Sequence, residues 1–244
     1  MKTSMKLIAT LAAAAVLAGC QTMGGYNPGS AGRFAQYHCS GSAPSMPDEN
    51  TMIFKPAKQT CGGSTFGQRN EIVGNTFFQW EKKKLVMTAN ISLTAPNLSD
   101  TTIFQIASMT EGCSPASSFI MTEFGTKIRS GYLTKGSNRC AAEFDFKRAR
   151  TDGRTIVPHD GTPFDLKVEF NFKGKGAFDY MVYMDGKRID TFRYTRPAES
   201  KNNKEYALKF GLYSQKYFDY TLVVKNFRVD EVDKLSDEFY AEFN

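Results

Sequence analysis

The feature that most limits this chain is a side-chain period of two that recurs along most of its length. In Phe164-Asp165-Leu166-Lys167-Val168-Glu169-Phe170-Asn171-Phe172 apolar and polar residues alternate without a break. Successive strand side chains point to opposite faces, so such a segment buries one face and wets the other. Leu85 to Leu93 alternates apolar with smaller or polar residues, and Tyr180–Met184 runs through Asp185-Gly186 into Lys187–Phe192. An Asp-Gly pair between two strand-like runs predicts a tight hairpin. Further strands are expected at 103–108, 118–124, 127–133, 142–147, 206–214 and 219–229. Helical spacing is confined to the C-terminal segment, where Leu235, Phe239 and Phe243 recur behind Ser236, a capping side chain. Many short antiparallel strands predict an all-β fold: an antiparallel β-sandwich of the jelly-roll kind, closed by a short C-terminal helix.

The N-terminus has a different pattern. Lys2 and Lys6 precede an apolar run from Leu7 to Leu17 that is mostly alanine and leucine. A basic flank followed by an apolar run of this length reads as an export signal and is too short for a permanent span. Leu17-Ala18-Gly19-Cys20 resembles the lipobox of bacterial lipoproteins. That resemblance implies cleavage after residue 19, acylation of Cys20, palmitate among the attached chains, and membrane contact through the lipid alone. Gln21, a residue other than Asp after the Cys, implies an outer-membrane lipoprotein of the cell envelope. The expected organisation is therefore a signal peptide at 1–19, a lipidated, Gly-rich flexible tether at 20–32, and one jelly-roll domain at 33–244.

Four cysteines follow Cys20: Cys39, Cys61, Cys113 and Cys140. An even set in an oxidising compartment reads as two disulfides. Of the three connectivities, Cys39–Cys61 with Cys113–Cys140 is favoured, because each bridge closes a moderate loop between neighbouring segments. No CxxC or HxxxH spacing suggests zinc, so no metal site and no cofactor are expected. Asp48, Glu49 and Asp100 offer oxygens to a structural calcium, but no ordered calcium loop is readable. The chain carries +6, and removing Lys2 and Lys6 leaves +4. That balance suits a polyanion, while export and the absence of any nucleic-acid motif argue against DNA or RNA. The domain is expected to act as a monomer.

The most informative segment is Tyr206-Ala207-Leu208-Lys209-Phe210-Gly211-Leu212-Tyr213-Ser214-Gln215. Leu208, Phe210 and Leu212 point to the core; Lys209, Gly211, Tyr213 and Gln215 point the other way. Gly211 would leave bare backbone where a ligand could approach. The segment resembles the YFKAGxYNQ block of the alginate-lyase-like polysaccharide lyase family 7 and the KFGxY block of heparin-lyase-like jelly rolls. Arg69-Asn70-Glu71-Ile72-Val73 is similar to the family's R-[ST]-E-L-R strand, and Gln105-Ile106-Ala107 to its Q-[IV]-H strand. The run from Phe164 through Gly186 to Phe192 resembles a strand and hairpin of the same fold.

What the resemblance implies is β-elimination on a uronate-containing polysaccharide, alginate-like or glucuronan-like. The uronate carboxylate must be neutralised so that the C5 proton becomes acidic. A base must take that proton, and an acid must protonate the leaving glycosidic oxygen. Carried over by position, Arg69 and Gln105 would hold the carboxylate and Tyr213 would be the acid, and also the base. Lys209, Gln215 and Glu71 would line subsites. A phenol with an ordinary pKa of about 10 acts as a base only beside positive charge, such as Arg69 or Lys209. Two positions depart from the family pattern: Ala107 stands where a His is expected, and Val73 where a second Arg is. His159, in Val157-Pro158-His159-Asp160-Gly161, is the mid-chain imidazole that could reach the groove.

Other residues have plainer readings. Arg69 with Glu71 fits a surface charge pair, and Lys82-Lys83-Lys84 fits a solvated turn. Trp80, the single tryptophan, fits the core or a sugar-stacking platform. Glu143-Phe144-Asp145 begins like a retaining glycosidase strand, but Lys147 and Arg148 occupy both places for the second carboxylate. The rival to a lyase is a non-catalytic glycan-binding or envelope-structural lipoprotein on the same sandwich.

Overall fold

The computed structural model describes residues 29–38, 43–55, 68–78, 80–96, 98–108, 115–133, 140–148, 156–195, 205–214 and 216–244, with the backbone alone at 36–38, 132–133 and 140–148. The described residues form two antiparallel sheets and one short helix. The first sheet contains β1 (Phe34–His38), β4 (Gln68–Gly74), β5 (Phe77–Phe78), β7 (Thr101–Ser108), β8 (Ser117–Thr122), β9 (Gly125–Leu133), β10 (Cys140–Arg148) and β14 (Glu205–Ser214). Its order is β1-β4-β14-β7-β8-β9-β10, with β5 also paired to β14. The second sheet contains β2 (Ser45–Asp48), β3 (Thr51–Phe54), β6 (Lys82–Thr94), β11 (Asp160–Gly174), β12 (Ala177–Met184), β13 (Lys187–Tyr194) and β15 (Thr221–Glu231), in the order β13-β12-β11-β6-β15-β3-β2.

Alternation places the core. From Leu85 to Leu93 along β6 every second residue is buried, and these face Phe104, Phe119 and Phe210 from the first sheet. Aromatic edges interlock across the interface: the rings of Phe104 and Phe170 are 5.6 Å apart at 85°. Each large apolar side chain sealed this way contributes about 1.5–3 kcal/mol. The predicted hairpin is present, with Asp185 and Gly186 at positive φ between β12 and β13.

Four strands went unforeseen: β1, β2, β3 and β5. They are short, and β2 is exposed at every position, so no alternating stripe announces it. β1, β3 and β5 pair with strands distant in sequence, and β2 pairs at the sheet edge with β3 just after it. The Lys82-Lys83-Lys84 run opens β6 rather than forming a turn. The helix α1 (Asp237–Phe243) follows Ser236, whose hydroxyl accepts the Phe239 amide N–H. It buries Phe239 with Leu235 against Met181 and Tyr183 on the outer face of the second sheet. Cys20, Cys39, Cys61 and Cys113, and the side chain of Cys140, lie outside the described residues, as do the signal segment and most of the tether.

Candidate active site

The strands that carry the candidate residues are adjacent although far apart in sequence. β14 lies between β4 and β7. Register sets Tyr213 opposite Arg69, Gly211 opposite Glu71, and Lys209 opposite both Val73 and Gln105. Arg69, Glu71, Lys209 and Tyr213 therefore meet on the outer face of the first sheet, while Ile72, Leu208, Phe210 and Leu212 fill the core.

There the side chains converge. The Arg69 guanidinium carbon sits 4.4 Å from the Tyr213 ring centroid. Arg69 Nε is 3.1 Å from Glu71 Oε2. Gln105 Nε2 donates to Glu71 Oε1 at 2.6 Å. Glu71 is thus the hub, held by a guanidinium on its own strand and an amide two strands away. Burial pushes its carboxyl pKa up, against the opposing pull of Arg69, Lys209 and the Gln105 hydrogen bond. The Lys209 ammonium is pushed down, chiefly by burial, with Glu71 opposing and Arg69 adding to the effect. A buried ion pair of this kind stabilises little by itself but becomes costly when one partner is removed.

Gly211 has a structural reason. Its φ is +137°, and a Cβ there would meet Asn70 O at 2.4 Å, Glu71 Cα at 2.8 Å and Phe54 Cε1 at 3.1 Å. The glycine thus permits close approach of β14 to β4 and the inner face, rather than a bare spot for ligand. Around Ile103 the pairing of β7 is irregular against both neighbours, which brings Thr102 beside Tyr213.

Half-buried Tyr213 lines a cleft of about 540 Å³ at the end of the sheet where β14 terminates. On its walls the cations Lys127, Arg129 and Lys216 outnumber the carboxylates Asp100 and Glu123, and Phe124, 54% exposed, stands at its rim. Lys127 is paired with Asp100, which also lines the cleft. Sequence reasoning did not single out the three cations or Phe124. Lys127 and Arg129 flank core-facing Ile128 in an expected strand, so their outward direction was readable; the position of that strand beside Tyr213 was not.

Several expectations need correction. Glu71 and Lys209 do not line an open subsite: Glu71 has no exposed surface and Lys209 is 7% exposed, because each is sealed against the other and their strand neighbours. Arg69 and Glu71 are a buried pair rather than a surface one. His159 lies just before β11 of the opposite sheet, its Nδ1 3.4 Å from the Val157 carbonyl oxygen, and is not among the residues lining the cleft. Gln215 lies outside the described residues. Ala107 is fully buried on β7, opposite Ala207. Trp80 is not core; it is 51% exposed and stacked on Phe78.

The described residues form a two-sheet jelly roll with a buried ionic cluster beside a cleft. The fold is that of several polysaccharide lyases. The chain is similar to the family 7 alginate lyase A1-II' in complex with substrate, at 12% identity and a TM-score of 0.53, over 79% of this chain and 83% of that one. It is similar to the alginate lyase from Alteromonas sp. 272, at 14% identity and a TM-score of 0.52, over 82% and 95%. Endo-β-1,4-glucuronan lyase from the fungus Trichoderma reesei aligns at 10% identity and a TM-score of 0.50, over 80% and 86%. No family model matches the chain, and no curated protein matches its sequence. The likeness is one of fold.

Proposed function

We propose that this protein is a polysaccharide lyase that cleaves a uronate-containing polymer, alginate-like or glucuronan-like, by β-elimination. The observation that carries the reading is the stacking of Arg69 on Tyr213 at the edge of a basic cleft. Similarity of fold to alginate and glucuronan lyases supports it.

In this reading Arg69, held in place by Glu71, neutralises the uronate carboxylate and so acidifies the C5 proton. Gln105 fixes Glu71 and through it the guanidinium. The Tyr213 oxygen, as phenolate beside that cation, removes the C5 proton. The electron pair forms the C4=C5 double bond and the C4–O bond breaks. The same phenol returns a proton to the leaving oxygen, which completes a syn elimination with no histidine at position 107. Arg129, Lys127 and Lys216 attract flanking uronates.

The protein is further proposed to act in the cell envelope, anchored through acylated Cys20. Metabolic labelling with palmitate that is lost in Cys20→Ser tests the anchor.

The enzymatic test is incubation with alginate and with polyglucuronate while following ultraviolet absorbance of the unsaturated uronide. A rise supports the lyase. Binding of either polymer with no new absorbance assigns the chain to the non-catalytic alternative, which buried Ala107 favours.

A further inference from the structure

The single tryptophan lies on an exposed apolar step at the end of the sandwich away from the cleft. The rings of Phe78 and Trp80 stack face to face at 4.2 Å and 7°, and both are exposed. Two large aromatics stacked in solvent are an unusual use of apolar surface and mark a contact site. Lys82, Lys83 and Lys84 follow after Glu81, and pairing of β6 with β11 sets Lys173, ion-paired with Asp179, opposite Lys82. Lys175, exposed and at positive φ, occupies the adjacent β11–β12 turn. Glu81 and Glu231 lie near Lys83, while Lys84 donates to the Asp233 carbonyl oxygen.

The N-terminal chain enters the domain at this same end. Gly29 is seated against β15, where a Cβ would meet Val229 O at 2.6 Å. Ser30 N–H donates to Asp230 Oδ1, Ala31 N–H to the Val229 carbonyl oxygen, and Glu231 N–H to Ser30 Oγ. Ala31, Phe77, Lys83 and Glu231 line one small cavity. The entry point thus shares a cavity with Phe77, the chain neighbour of Phe78. Nine residue steps separate Gly29 from Cys20, which reach at most about 30 Å when fully extended. Phe78 pairs with Glu205 at the start of β14, whereas Tyr213 lies eight residues further along, about 26 Å away.

The geometry points to a membrane-facing end: Phe78, Trp80 and the surrounding lysines rest on the phospholipid surface that holds acylated Cys20, so that the cleft opens away from it. This rests on the lipid-anchor reading given above. Tryptophan rings favour the headgroup region, and lysine stems lie along apolar surface while their ammonium groups reach phosphates. The acyl chains supply the affinity, and the aromatic–lysine surface supplies orientation. An orientation of this kind presents a long polymer to the cleft without crowding from the bilayer.

Trp80 is its own probe. The acylated protein is bound to phosphatidylethanolamine–phosphatidylglycerol vesicles and compared with Cys20→Ser exported on an ordinary secretory signal. Flotation of the wild type but not of Cys20→Ser supports the anchor. On vesicles, Trp80 emission is expected to shift to the blue, to be quenched by bromine-labelled acyl chains, and to lose access to aqueous iodide several-fold. Flotation with emission and iodide access unchanged overturns the membrane-facing end while leaving the anchor intact. Failure of the wild type to float overturns the anchor and this orientation together. A shift of Trp80 on adding polymannuronate to Cys20→Ser, with none on vesicles, overturns the proposal in favour of a sugar platform.

Discussion

The Arg69 guanidinium lies over the ring of Tyr213, its carbon 4.4 Å from the centroid, while Nε of the same group faces Glu71 Oε2 at 3.1 Å. One side chain thus couples a buried carboxylate to a half-buried phenol across two neighbouring strands. The carboxylate anchors the guanidinium, and the guanidinium presents positive charge where the phenol borders the cleft.

Tyr213→Phe removes the hydroxyl and leaves the ring in its stack with Arg69. General acid–base groups contribute about 10²–10⁴-fold. The variant is expected to lose at least about 10²-fold in kcat, with polymer binding and melting temperature close to wild type. Undiminished turnover would rule out Tyr213 as the proton-transfer group.

Glu71→Gln removes the charge partner of a pair that is almost wholly out of water. Activity should fall as Arg69 is released from its anchor, while the effect on stability depends on pH and is measured by urea unfolding of both proteins. The pH dependence has a definite sign. Burial raises the folded-state pKa of Glu71 above its usual 4.5, so the folded protein holds that proton more tightly than the unfolded chain. Stability from this group is present below 4.5 and is lost as pH rises through the folded value. Wild type should therefore lose stability relative to Glu71→Gln as pH increases across that window. A wild type that gains stability over Glu71→Gln as pH rises would contradict the burial argument.

Gly211→Ala forces a Cβ to 2.4 Å from Asn70 O at a φ of +137°. Strain of this backbone type costs about 1–3 kcal/mol, and the clash with β4 adds to it. The variant should melt lower and also lose activity, since relief moves β14 away from the strand bearing Arg69 and Glu71. Calorimetry together with a polymer assay checks both; a fully stable variant would deny the close approach.

Arg129→Ala acts on binding rather than on proton transfer. A hydrogen bond to a charged group is worth about 1.5–3 kcal/mol, so KM is expected to rise by about 10- to 150-fold with kcat little changed. Added salt should raise KM more steeply for wild type than for the variant, because the lost contact is electrostatic. Equal salt slopes would place Arg129 outside the polymer path.

The sandwich was legible because its signal is local. Alternation in Phe164–Phe172 and Leu85–Leu93 states which face is buried wherever the partner strand lies. The Asp185-Gly186 turn and the Ser236 cap are equally local, and both form where the sequence places them. The four missed strands are short, and what makes them strands is an edge offered by another segment. Their own residues carry little of that information.

At the site, the sequence by itself determined which side chains leave the core: parity along β4 and β14 puts Arg69, Glu71, Lys209 and Tyr213 on the face opposite Ile72 and Phe210. Only the tertiary structure decided what those side chains meet. Register between strands separated by more than a hundred residues sets Tyr213 beside Arg69, and the same register seals Glu71 and Lys209 that parity alone would leave facing a ligand. It also left Trp80 in solvent, stacked on Phe78. Direction along a strand is a property of consecutive residues, whereas burial and pairing depend on which distant strand arrives alongside; that is why the first is written in the sequence and the second appears only when the sheets assemble.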